Sequence, residues 1–203
     1  YKLWAFVRQS LIRIYLFFAK LVYKLSGGKR PKTLFCQKAN AEHIGTRVRV
    51  VSSDKYSTTI AKFDADGNMS DEDFVILTGT DLHLDHGTEN NEKTVERFVR
   101  HIKDIKPDLI VLTGDIILTD TQQTDAIQFA QMMEKLGIYW TAVFGNHEVR
   151  EERGFYKYLL LKDFADYEHC LCKLGPDELF GYGNYTVNIL GKGGRLRRTL
   201  FFF

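Results

Sequence analysis

Three short apolar runs free of charge recur along the middle of the chain, and each breaks into a glycine-containing segment rich in polar side chains. The runs are Phe-Val-Ile-Leu at 74–77, Leu-Ile-Val-Leu at 109–112 and Tyr-Trp-Thr-Ala-Val at 139–143. They lead into Gly79-Thr-Asp81-Leu-His83, Thr113-Gly114-Asp115 and Gly145-Asn146-His147-Glu148. Helical periodicity fills the intervals. Asn91 is placed to cap a helix over 92–105, with Val95, Phe98, Val99, Ile102 and Ile105 on one stripe and Pro107 beyond it. A second helix is expected over 124–136, ended by Gly137. Strands without charge that alternate with helices predict a parallel sheet buried on both faces, hence an α/β fold.

The spacing carries the chemistry. Asp81 and Asp115 are 34 residues apart, and Asp115 and Asn146 are 31 apart. Each step has the length of one right-handed strand–helix–strand unit, so the three segments leave the same sheet edge on neighbouring strands. Open α/β sheets bind ligands at the carboxyl ends of their strands. Asp81, His83, Asp115, Asn146 and His147 are therefore expected to converge. Such a set of oxygen and nitrogen donors suits borderline divalent metals, Mn, Fe or Zn. The glycines at 79, 114 and 145 allow the backbone to turn sharply straight after each strand.

Flanking segments read as further β-structure. Residues 47–51 alternate, residues 57–61 are β-branched, and Asp-Ala-Asp-Gly at 64–67 is turn chemistry. Asp64, Asp66, Asn68 and Ser70 also stand at calcium-loop spacing, but Met69 and Val75 occupy the positions where such a loop needs Gly and Glu, so a turn is the better reading. Strands are expected at 185–190 and 199–203, joined by a turn at Gly-Lys-Gly-Gly, 191–194.

Charge is segregated along the chain. Residues 1–32 carry eight Lys/Arg and no Asp or Glu, while residues 33–191 carry sixteen Lys/Arg against twenty-six Asp/Glu. An acidic body argues against a nucleic-acid-binding patch there, and a basic head argues for contact with something anionic. Residues 1–25 have helical periodicity, with Lys2, Gln9, Arg13, Lys20 and Lys24 on one stripe and a wide apolar face opposite. The longest uncharged run, 14–19, is six residues, far short of the roughly twenty that span a bilayer. Three readings stay open: an interfacial helix on an anionic membrane surface, a helix packed on its own domain or a partner, or a signal-type segment, which the charges interrupting its apolar stretch disfavour. The expected organisation is a basic amphipathic segment at 1–32 and a domain at 33–203, membrane-associated or cytoplasmic. Three cysteines form no even disulfide framework, which fits a reducing compartment.

Asp81-Leu-His83, Gly114-Asp115 and Gly145-Asn146-His147-Glu148, in this order, resemble the signature of the calcineurin-like metallophosphoesterase family. The arrangement is similar to a bacterial branch that pairs an N-terminal hydrophobic segment with this domain. The resemblance implies a two-layered β-sandwich flanked by helices, a dinuclear metal centre and hydrolysis of phosphoric esters by metal-activated water. It further implies Asp81 and His83 on the first metal, Asp115 bridging, Asn146 on the second, and His147 as the acid facing the leaving oxygen. His86, just behind the first motif, is a weaker candidate for substrate contact. The family's later His and its Gly-His-x-His motif do not occur before Phe203. The strand-like run at 199–203 is bounded by nothing, so the domain is expected to continue past residue 203, and for want of the later histidines the 203-residue piece is expected to be weak or inactive. His169 lies without a strand-end signal, and His43 and His101 read as structural or solvated. The alternative is a non-catalytic binding or scaffold domain on the same fold.

Overall fold

The computed structural model describes residues 41–84, 89–118, 122–148 and 156–203. The basic segment at 1–32 and His86 lie outside the described residues. Among the described residues no helix is long and apolar enough to cross a membrane.

Among the described residues, seven strands form two sheets. Strands β1 (Val48–Ser53) and β2 (Ser57–Lys62) are antiparallel, and their tight connection is organised by Asp54. Its Oδ1 accepts from the backbone N–H groups of Tyr56, at 2.7 Å, and Ser57, at 2.8 Å. The chain then passes through the expected turn, where Asp64 Oδ1 accepts from Asp66 N and Asn68 N. Next come β3 (Ile76–Gly79), α1 (Glu89–Ile105), β4 (Leu109–Thr113), α2 (Gln122–Leu136) and β5 (Trp140–Val143). Helix α3 (Tyr156–Ala165), β6 (Tyr185–Leu190), a single 3-10 turn at Lys192–Gly194 and β7 (Leu196–Phe202) complete the described elements.

The three-stranded sheet has the order β3-β4-β5 and is wholly parallel. Leu109, Ile110, Val111 and Leu112 of the central strand are all buried, which explains why that run tolerates no charge. In α1, Val95, Phe98, Val99 and Ile102 face the core at helical spacing, each contributing about 1.5–3 kcal/mol by burial. Two expectations for this helix are corrected. Ile105 is 45% exposed, because the stripe has turned off the sheet by the last residue. Asn91 is buried inside the helix, which starts at Glu89, so it is not the cap. Gly137 ends α2 with φ +67°, as its position implied.

The second sheet has the order β1-β2-β6-β7, with β2 and β6 parallel and β6 and β7 antiparallel. Tyr185, Val187 and Ile189 alternate inward along β6, toward the common core. The sheets are stitched by polar contacts at two places. The Tyr185 hydroxyl donates to the carbonyl of Ala142 in β5, at 2.7 Å, and lies 2.6 Å from Thr141 Oγ1. At the other place, buried Lys62 of β2 meets Asp108 beside β4, Nζ to Oδ2 at 2.9 Å, and that same oxygen accepts from Val75 N. Helix α3, for which the sequence reading carried no expectation, packs Phe164 edge-on against Trp140 with ring centroids 4.9 Å apart.

Candidate metal centre

The segments that follow β3 and β4 are bound to each other through their backbones. Asp81 N donates to Gly114 O at 3.1 Å, His83 N to Asp115 O at 2.9 Å and Leu84 N to Ile116 O at 2.8 Å. This lacing holds an unusual conformation. Asp81, His83 and Asp115 have φ of +54°, +46° and +52°, and among the described residues Lys106, at the end of α1, is the other non-glycine residue with positive φ. A left-handed conformation at a residue with a Cβ costs about 1–3 kcal/mol, and such strain concentrates at functional sites. All three are residue types able to ligate a metal, and they stand together at one edge of the parallel sheet.

Glycine permits the closeness of the β4 and β5 ends. A Cβ on Gly114 would lie 2.7 Å from Gly145 N, and a Cβ on Gly145 would lie 2.1 Å from Asp115 Oδ1. In the space those hydrogens leave, His147 N donates to Asp115 Oδ1 at 2.9 Å. His83 Nε2 stands 3.6 Å from Asp115 Oδ2 and 3.6 Å from Asp81 Oδ1. The His83 and His147 rings meet edge-on with centroids 4.9 Å apart. One ligand atom from each of His83, Asp115 and His147 lies within 4.8 Å of the other two. Asp115 forms the floor, its side chain 13% exposed, while His83 at 40% and Asp81 at 59% open to solvent.

The carboxyl of Asp115 is held below its ordinary range, first by the hydrogen bond from the His147 backbone and then by the nearby His83 and His147 rings, with burial opposing. A carboxylate kept ionised beside two imidazoles is a donor set suited to a divalent transition ion, so these residues fit the group the sequence implied. Asn146 is exposed at the same strand end, directly before His147. His169 is elsewhere: its carbonyl accepts from Trp140 N at the opposite end of β5, and its Nδ1 pairs with Glu134 Oε1 at 2.8 Å. His43 and His101 are exposed.

Sequence reasoning gave Glu148 no role. It is 1% exposed, and its carboxylate accepts from the backbone N–H groups of Asp115, Ile116, Ile117 and Gly145. The available signal was an acidic residue immediately after Asn-His at a strand end. Its partners are set by pairing of loops some thirty residues apart, which local pattern does not display.

Neither a curated protein nor a solved structure matches the chain. The family model for calcineurin-like phosphoesterases matches residues 74–201, which takes in all three strand-end motifs and more than half of the sequence. With the motifs on one edge of a parallel sheet and a second sheet packed behind it, the chain belongs to the calcineurin-like phosphoesterase family.

Proposed function

We propose that the chain is a metal-dependent phosphoric ester hydrolase working at the β3–β4–β5 edge through a dinuclear centre. The observation that carries this reading is the gathering of the His83, Asp115 and His147 donor atoms within 4.8 Å, at the strand ends of a domain that matches the family. Asp81 and His83 would hold one ion, Asn146 the other, and Asp115 would lie between them. Divalent ions bound there supply a Lewis acid for a phosphoryl oxygen and lower the pKa of water enough to give a nucleophile at neutral pH. Asp115, anchored by His147 N, keeps its carboxylate oriented and ionised. The imidazole of His147 would hand a proton to the leaving oxygen, a task suited to histidine. The exposure of Asp81 and His83 supports entry of a phosphate ester from solvent.

A second proposal concerns the head. The eight basic residues of 1–32, with the apolar face of 1–25, support peripheral docking on an anionic lipid surface.

The hydrolase reading is tested with p-nitrophenyl phosphate and bis(p-nitrophenyl) phosphate, with and without Mn2+. A full-length version is expected to release nitrophenol only with the metal, and its Asp115→Asn variant to fall to background while keeping its melt. Equal rates in the two proteins would contradict the assignment. Metal binding without turnover of either ester would favour the scaffold alternative.

A further inference from the structure

We infer that Glu148 is the positioning residue of this centre, acting through the backbone of Asp115; the inference rests on the metal-site reading above. The residue touches none of the donor side chains in the contacts described for it. All four of its hydrogen-bond donors are backbone N–H groups of the two loops that bear Asp115 and His147. Oε2 accepts from Asp115 N at 3.0 Å and Gly145 N at 2.8 Å, while Oε1 accepts from Ile116 N and from Ile117 N at 2.9 Å.

A buried carboxylate without a cation partner is costly, and here four N–H donors offset that cost. Three successive N–H groups at 115–117 curve around one anion only because Asp115 is left-handed, φ +52°. The conformation and the carboxylate therefore sustain each other. Oε2 in addition bridges the β4 loop to the β5 loop, holding the approach that Gly114 and Gly145 make sterically possible. Without this clamp Asp115 can relax toward ordinary backbone angles. Its carboxylate then leaves the His147 N–H and moves relative to His83.

The chemistry of the clamp makes a sharp test. Glu148→Gln preserves shape, yet an amide accepts with one oxygen only. Whichever way the amide lies, its NH2 faces two N–H donors. Glu148→Asp keeps both oxygens with a reach shorter by one methylene. The experiment is a calorimetric titration of the full 203-residue chain with Mn2+, at a temperature where the melt shows every variant folded, with the EPR line shape of bound Mn2+ recorded alongside.

Glu148→Gln is expected to bind Mn2+ roughly 10–100-fold more weakly, as for lost outer-shell partners, with an altered line shape. Glu148→Asp is expected to lose less, which is the rescue that a positioning role predicts. If Glu148→Gln is folded and matches wild type within about twofold, the inference is overturned. If Glu148→Gln does not fold, Glu148→Asp decides: weaker binding supports the inference, and unchanged binding overturns it. Loss of the cooperative melt in both variants would make Glu148 a fold residue and also overturn it. Wild type that binds no Mn2+ would instead overturn the metal-site reading, and the inference with it.

Discussion

Replacing Gly145 with alanine adds one methyl group at the point where the β4 and β5 loops touch. Its Cβ would sit 2.1 Å from Asp115 Oδ1, 2.7 Å from Asp115 Cγ and 2.7 Å from Asp115 N. Cβ atoms do not approach heavy atoms within 3.0 Å, so the carboxylate has to retreat by about 0.9 Å. The backbone contact cannot swing aside as a flexible side chain would, so the loops must also part. Gly145 is not in the left-handed region, so the effect is steric and not one of backbone conformation. Overpacking of this kind costs about 1–3 kcal/mol, and each kcal/mol lowers Tm by roughly 2–4 °C in a domain of this size. The functional loss is larger than the stability loss. Displacing the floor of the site by about 1 Å is expected to weaken Mn2+ binding or slow turnover by on the order of 100-fold. The control is Gly67→Ala, where φ is +81° and a Cβ meets nothing within 4 Å. That variant should lose about 1 kcal/mol from strain and keep its metal affinity. Calorimetric Mn2+ titration with a thermal melt reads both effects. A Gly145→Ala protein with wild-type affinity would refute the claim that this glycine sets the position of Asp115.

Lys62→Ala strands Asp108 in the interior, and urea unfolding should show about 3–5 kcal/mol of lost stability; a loss below about 1 kcal/mol would place the pair in the class of surface ion pairs. His147→Ala separates two roles for that imidazole: retained Mn2+ affinity with turnover slowed roughly 10²–10⁴-fold marks an acid, whereas lost affinity marks a ligand. Residues 1–25 should carry the full chain onto vesicles containing anionic lipid, at about 1 kcal/mol per basic residue near the surface, and the 33–203 chain should stay in the supernatant. If the full chain also stays behind, and the shortened chain loses its cooperative melt, the segment belongs to a packed core and the membrane proposal is wrong.

Much of the three-stranded sheet is legible because burial of its central strand on both faces leaves a signal in single residues. Four apolar residues in a row at 109–112 read as a covered strand, and the run at 139–143 repeats the message, whereas the equally apolar run at 74–77 leaves Val75 and Ile76 exposed. What escaped reading depends on partners far along the chain. The parallel pairing of Ser57 with Thr186 joins segments about 130 residues apart, and nothing in Ser-Thr-Thr-Ile-Ala indicates it. Lys62 reads as a strand-end surface lysine until Asp108 is seen beneath it. The positive φ of Asp81, His83 and Asp115 is likewise not legible in residue type, since aspartate and histidine adopt it in only a minority of positions. Asn91 misled because a cap residue at a helix start is a local rule, and burial at that end of α1 overrode it.

The central claim is that the three strand ends bind a divalent ion at one place. Crystals of the chain soaked in MnCl2 and measured at the manganese absorption edge test it directly. The account predicts an anomalous peak in contact with His83 Nε2 and an Asp115 carboxylate oxygen, absent from crystals of Asp115→Asn. A peak only at other residues, or none at that edge of the sheet, would contradict it.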